Sequence, residues 1–332
     1  MRKGESGADA LRDTINLAKA VEALGYERYW VAEHHSTGTF AGTAPEVLIG
    51  QILANTSHIR VGSGGVMLTH YSAFKVAEQF RVLESFYPGR VDLGIGRAPG
   101  SDQRTMYALA YPRRPVDVET FPQQVVDLVG YLYDAIGTDH PFAGLKAAPG
   151  GKPTSAPEIW LLGSSDYSAR LAAHLGLPFA FADFFGTTGG HGPQVCDIYR
   201  RDFKPSQLCP EPVLNVTFQV LCAPTHDEAI RIAASRDYNR ARRVLAAQGH
   251  AIEEGLLPPE EASKADMTPE AAAHVKQYVE GCIDGSPDEV REGILEAAKR
   301  YGTTNVGIVT IAYALEDRIR SYELVAGAFG LI

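Results

Sequence analysis

Apolar residues along the chain follow two alternating rhythms. Near the N-terminus Leu11, Ile15, Ala18, Val21 and Leu24 recur every three or four positions, the spacing of an amphipathic helix. Gly25 follows where a left-handed cap ends such a helix. The next stretch, Tyr29-Trp30-Val31-Ala32-Glu33, is short, as in a buried strand. The rhythm then repeats. Pro45, Leu48 and Ile52 predict a helix, Ile59 to Leu68 a glycine-interrupted strand, and Val76, Phe80 and Leu83 a helix closed by Pro88-Gly89. Val91 to Gly96 reads as a strand, Phe121, Val125, Leu128 and Leu132 as a helix, and 144–157 as a Gly/Pro/Ala-rich connection. Further strands are expected at Glu158–Leu162, Phe179–Ala182, Val213–Cys222 and Asn305–Ile311. Helices are expected at Asp166–Leu175, around Val195–Phe203 and at Thr225–Ala247, and Ile319, Tyr322, Val325 and Phe329 line the last one. Ser286-Pro287-Asp288-Glu289 places a capping serine, a first-turn proline and two acids at a helix start.

Repeated strand–helix units define an α/β fold with a parallel sheet and helices outside it. Seven strands are visible in the 332 residues, whereas a closed (β/α)8 TIM barrel has eight, and the chain begins on a helix. The first strand of the barrel is therefore expected to be missing from this sequence. No linker divides the pattern, so 1–332 is expected to form a single barrel domain. An acidic, proline-containing excursion at about 248–270 reads as an insertion or lid.

Apolar residues at 45% and charged residues at 21% are enough for a full core and exclude a disordered chain. The net charge of −9 argues against a nucleic-acid partner, since Arg240, Arg242 and Arg243 form the main basic cluster and read as a solvated helix face. No apolar run reaches the ~18–20 residues that span a bilayer, and the polar Met1-Arg2-Lys3-Gly4 start is unlike a signal peptide. Cys196, Cys209, Cys222 and Cys282 form no CxxC pair, as in a reducing compartment. A cytoplasmic enzyme with no membrane contact is expected.

In a parallel barrel, ligands sit at the C-terminal ends of the strands. Gly163-Ser164-Ser165 joins a strand to a helix, where free N–H groups and hydroxyls suit a phosphate with Arg97 as its charged partner; plain N-capping by either serine is the alternative. Gly64-Gly65 inside a strand marks either close approach of backbone to a ligand or a barrel bulge. Gly94-Ile95-Gly96-Arg97-Ala98-Pro99-Gly100 has GxGxxxG spacing with an interrupting proline, so a dinucleotide fingerprint is rejected. His34 and His35 follow a buried strand and are candidates for proton exchange near neutral pH, with a loop-bonded structural role the alternative for His35. No third ligand at zinc spacing joins them, so no metal is expected. His70 and Tyr71 are placed in a loop lining a substrate pocket. No GxSxG elbow is present.

Five segments, taken in order, resemble the bacterial luciferase-like flavin-dependent monooxygenases, in particular their single-subunit luciferase-like oxidoreductase branch. They are Tyr29-Trp30-Val31-Ala32-Glu33-His34-His35, Val61-Gly62-Ser63-Gly64-Gly65-Val66-Met67-Leu68, Ala77-Glu78-Gln79-Phe80, Pro88-Gly89-Arg90-Val91-Asp92-Leu93-Gly94-Ile95-Gly96-Arg97 and Trp160-Leu161-Leu162-Gly163-Ser164-Ser165. The resemblance implies a (β/α)8 barrel whose first strand precedes a Gly-Glu-Ser turn. Here Gly4-Glu5-Ser6 lies almost at the start, which leaves no residues for that strand and suggests a product shorter than a working enzyme. It implies FMN as cofactor, with the phosphate at Arg97, Gly163, Ser164, Ser165 and Ser168, a non-proline cis peptide at Gly64-Gly65 against the ring, and Gly96 at its edge. It also implies an active-site histidine at His34. The implied chemistry is oxygenation of a small organic substrate by O2 and reduced FMN through a flavin C4a-hydroperoxide, the FMN being supplied by a transient flavin reductase. Loops 98–115 and 224–268 are expected to exclude water. A homodimer packed through the early helices is implied, with Leu48, Ile52 and Phe80 facing either the partner or the barrel. The alternatives are an F420-dependent hydride-transfer enzyme of the same fold and a non-catalytic flavin-binding homologue.

Overall fold

A computed structural model of the chain describes residues 1–98, 102–149, 155–185 and 190–332. Its strands are β1 (Arg28–Val31), β2 (Arg60–Met67), β3 (Val91–Gly96), β4 (Glu158–Gly163), β5 (Phe179–Ala182), β6 (Leu214–Cys222), β7 (Ile283–Gly285) and β8 (Val306–Val309). Early helices are α1 (Gly7–Ala23), α2 (Pro45–Ala54), α3 (Ala73–Phe86), α4 (Gln103–Ala110) and α5 (Phe121–Leu132). They continue as α6 (Asp166–Leu175), α7 (Gly192–Asp202), α8 (His226–Ala247), α9 (Pro259–Ala262), α10 (Pro269–Val279), α11 (Pro287–Tyr301) and α12 (Leu315–Phe329). The start of α11 has the anticipated capping box, with Glu289 reaching back to the N–H of Ser286.

All pairs are parallel. β1 to β6 follow one another in chain order, and β6 then pairs with β8 over Val216–Gln219 and with β7 over Val220–Cys222. The seven expected strands are present, and β7 is an addition. Ile283-Asp284-Gly285 carries too little apolar pattern to announce a strand. It forms because β6, nine residues long, runs past β8 and leaves ladder groups to be paired. The anticipated gap is also there: among the described residues no pairing joins β8 to β1, so the sheet is a curled half-barrel. Burial follows this geometry. Five of the six residues of central β3 are buried, whereas all four of β8 are only half-buried.

At the N-terminal ends of the strands, fully buried Asp92 accepts hydrogen bonds from Arg28 Nη1 at 2.7 Å, Trp30 Nε1 at 2.8 Å and Arg60 Nε at 2.8 Å. Glu158 takes the other side of Arg28 at 3.1 Å. A Cβ on Gly62 would stand 2.5 Å from that of Asp92, so the glycine makes room for the acid.

Two expectations need correction, and a choice left open by the sequence is decided for Ile52 and Phe80. Arg240 and Arg242 do not form a solvated face: Arg240 lies 4.6 Å over the Tyr278 ring, and buried Arg242 donates to Gly255 O at 2.7 Å. Ile52 and Phe80 are fully buried in the barrel shell, and the apolar side chains that α2 and α3 expose are Val47, Val82 and Phe86. The Leu68–His70 segment is a short 3-10 helix rather than an irregular loop. Among the described residues no helix is long and apolar enough to cross a membrane.

Candidate active site

The C-terminal end of β1 continues the strand's two-residue alternation: Val31, Glu33 and His35 are buried, while Ala32 is exposed and His34 half-buried. The two histidines consequently have different surroundings. The His34 ring stacks on Phe40 at 4.7 Å, its backbone N–H donates to Gly42 O at 2.9 Å, and burial holds its pKa below the ordinary histidine value. His35 Nε2 is 2.8 Å from Glu33 Oε1. The same Oε1 accepts the Tyr71 hydroxyl at 2.6 Å, and Oε2 accepts the Met67 N–H at 2.8 Å. Burial first, then Glu33, pushes the Tyr71 phenol up, so it stays protonated as the donor. His70 completes the cluster, with its ring 6.2 Å from that of His35 and 6.1 Å from that of Tyr71.

Next along the sheet, β2 and β3 approach so closely that side chains are excluded. A Cβ on Gly65 would sit 2.8 Å from Gly94 O, and one on Gly94 would collide with Ser63 O. The Gly64–Gly65 peptide is cis, and the β2–β3 register slips between Gly64 and Val66. The bulge reading of the glycine pair therefore holds, and the close approach seen there is that of β2 to β3. A Cβ on Gly96 would have as its near neighbour the Met67 sulfur at 3.8 Å, which leaves the end of β3 open. Pro99 and Gly100 lie outside the described residues.

At β4 the chain passes through Gly163-Ser164-Ser165 into α6. Ser165 is the N-cap, yet its side chain makes no capping bond, so plain capping does not explain it. Ser168 is buried against Gly163, where a Cβ would lie 2.5 Å from its own. Arg97, at the end of neighbouring β3, stacks its guanidinium 4.0 Å over Tyr167 in the first turn of α6. Among the described residues no carboxylate pairs with Arg97, and Asp166 turns to Arg170 at 3.8 Å. A half-buried guanidinium, free hydroxyls and helix N–H groups thus meet at one strand end.

Adjacent strand ends bring His35, His70 and Tyr71 to one side of the glycine turn and Arg97, Ser164 and Ser165 to the other. The sequence marked Glu33 with His34 and His35 at the strand end but gave it no role, and it did not single out Tyr167. The alternation beyond β1 was the available signal for Glu33; nothing in the order of residues announced Tyr167.

The match to known proteins agrees with this geometry. The family model for luciferase-like monooxygenases matches residues 2–304. A luciferase-like monooxygenase of Escherichia coli strain K12 is 37% identical over 326 residues, covering 97% of this chain and 92% of that protein. An N-acetyl-S-alkylcysteine monooxygenase of Bacillus subtilis strain 168 is 37% identical over 330 residues, covering 98% of this chain and 94% of the relative. Among solved structures, apo-MsnO8 superposes with a TM-score of 0.86 at 36% identity, covering 100% of this chain and 96% of its own. The chain belongs to the luciferase-like monooxygenase family.

Proposed function

We propose that the protein is a flavin-dependent monooxygenase that uses reduced FMN and O2 to oxygenate a small organic substrate. The observation that carries this reading is Arg97, a guanidinium with no carboxylate among the described residues, set beside the uncapped Ser165 hydroxyl at the start of α6. That donor set fits a phosphate. The open end of β3 at Gly96, beside the Gly64-Gly65 turn, would take the flat ring attached to it. Arg97, Ser164, Ser165 and the α6 N–H groups would hold the phosphate, with Ser168 wedged beneath Gly163. When bound, reduced FMN supplies the electrons that activate O2, and a separate flavin reductase delivers it.

The chain's own contribution is to orient, exclude water and hold protons. His35 sits beside the glycine turn for proton exchange, and His34 walls the mouth with Phe40. Segment 248–270 acts as the lid. It is strapped down by Arg242 to Gly255 O and by backbone bonds of Leu256 to Met1 and Lys3 at 2.9 and 2.8 Å. His70 and Tyr71 line the substrate side. The relative named for N-acetyl-S-alkylcysteine makes thioethers the first class to screen. Val47, Val82 and Phe86 on α2 and α3 support a homodimer through that face.

The test is to mix anaerobic reduced FMN with the protein, admit oxygen and follow the flavin spectrum in time. The expected result is a transient species that precedes oxidised FMN and whose decay is hastened by substrate. Tight FMN binding with immediate reoxidation favours a non-catalytic flavoprotein, and preferential binding of F420 favours hydride transfer.

A further inference from the structure

Glu33 and Asp92 are both fully shielded from solvent, but they are compensated differently. Asp92 is met by the guanidinium groups of Arg28 and Arg60. Glu33 is met by a phenol, a peptide N–H and an imidazole, and among the described residues no lysine or arginine pairs with it. Burying a carboxylate costs several kcal/mol, so each hydrogen bond that Glu33 accepts matters. The partner able to meet Glu33 with a full positive charge is His35, once that ring takes a proton. The groups facing the pair are His34 on the same segment, His70 and Tyr71 from the turn after β2, and Glu46 of α2, which acts on Tyr71 from behind.

We infer that Glu33 is a positioning residue that holds the His35 Nε2–H and so presents Nδ1 of His35, rather than a nitrogen of His34, as the proton-accepting atom at the mouth of the barrel. This rests on the monooxygenase reading for its reaction and on Glu33 geometry for its atoms. Nδ1 of His35 has no hydrogen-bond partner among the described residues. A proton leaving a reacting group adds to Nδ1, while Nε2 keeps its own proton against the carboxylate. The imidazolium formed is paired at 2.8 Å and returns the proton to water when product leaves. Tyr71 and the Met67 N–H fix the carboxylate from the other sides, which ties the histidine to the backbone just after Gly64-Gly65. His34, stacked on Phe40 with no carboxylate bonded to it among the described residues, has no such device there.

Nitrogen-detected NMR of the histidines in the flavin-free wild-type protein is the first measurement. His35 is expected to carry its proton on Nε2 in slow exchange with solvent, with Nδ1 bare. A neutral His35 protonated on Nδ1 overturns the assignment, whatever the protein oxygenates. Kinetics of Glu33→Gln, His35→Asn and the double variant follow. Glu33→Gln is expected to lower kcat at least about tenfold, within the range of general acid–base effects, with KM and the FMN Kd moving less than about threefold. In the His35→Asn background Glu33→Gln is expected to slow turnover no further, because the carboxylate acts only through that ring. Additive losses, or a fall in kcat matched by a fall in the folded fraction, assign Glu33 a structural role and overturn the inference. Should Glu33→Gln not fold, the wild-type NMR result decides. A wild-type protein that binds no reduced FMN refutes the monooxygenase reading and leaves the tautomer result to judge Glu33.

Discussion

Arg97 carries a charge that no carboxylate among the described residues meets, and its guanidinium lies over the face of Tyr167. A charge-assisted hydrogen bond to phosphate is worth about 1.5–3 kcal/mol, which corresponds to about 10–100-fold in affinity. Arg97→Met is therefore expected to weaken FMN by that factor while leaving riboflavin, which lacks the phosphate, almost unchanged. Fluorescence titration with both flavins checks it, and equal loss for the two would remove the phosphate assignment. Gly163 belongs to the same corner, since Gly163→Ala would drive a Cβ into Ser168. At this scale legibility depends on whether a residue is unusual where it stands. A glycine pair inside an apolar strand is unusual, and Gly64-Gly65 could be read from the string. An acid such as Glu33 looks like any other until the strand's alternation has turned it inward.

Between elements, Glu22 does what no periodicity reveals. Its Oε1 leaves the end of α1 and accepts the N–H groups of Ser57, His58 and Ile59 at 2.8, 2.7 and 2.9 Å, just before β2 begins. Burial pushes its pKa up, but the three N–H bonds prevail and the net shift is downward. A lowered carboxylate contributes stability that is present above the unfolded value of about 4.3 and is lost as pH falls through the folded value. Glu22→Gln is expected to cost about 1–3 kcal/mol at pH 7 and progressively less below about pH 4. Urea unfolding of both proteins at pH 7 and pH 3 measures this, and a constant difference between them would count against it. Nine helices and seven strands were legible because each carries an apolar rhythm, whereas α4, α9 and α10 lie in segments read as a loop or an excursion, or not read at all. β7 was not, because its pairing comes from the excess length of β6 rather than from its own three residues.

For the whole molecule, the alternation of strands and helices together with a start on α1 was enough to anticipate an incomplete barrel. What the string could not supply is how unequally the sheet is protected. β3 lies between two partners and is buried along Val91–Ile95. β1 pairs only with β2, and β8 only with β6, among the described residues. The outward ladder groups of these two strands face the gap, and open edges are both the easiest to unfold locally and the readiest to accept another strand. Amide hydrogen exchange is therefore expected to rank the sheet, with β1 and β8 exchanging orders of magnitude faster than β3 in dilute protein. Concentration separates two causes of any departure. If β8 is as protected as β3 at every concentration, the edge is closed within one molecule and the half-barrel description fails. If protection of β1 and β8 rises with concentration while β3 stays constant, the edges are pairing between copies. That association should be distinguishable from a dimer through α2 and α3, because replacing Phe86 with a charged residue would disrupt the second and leave edge pairing intact.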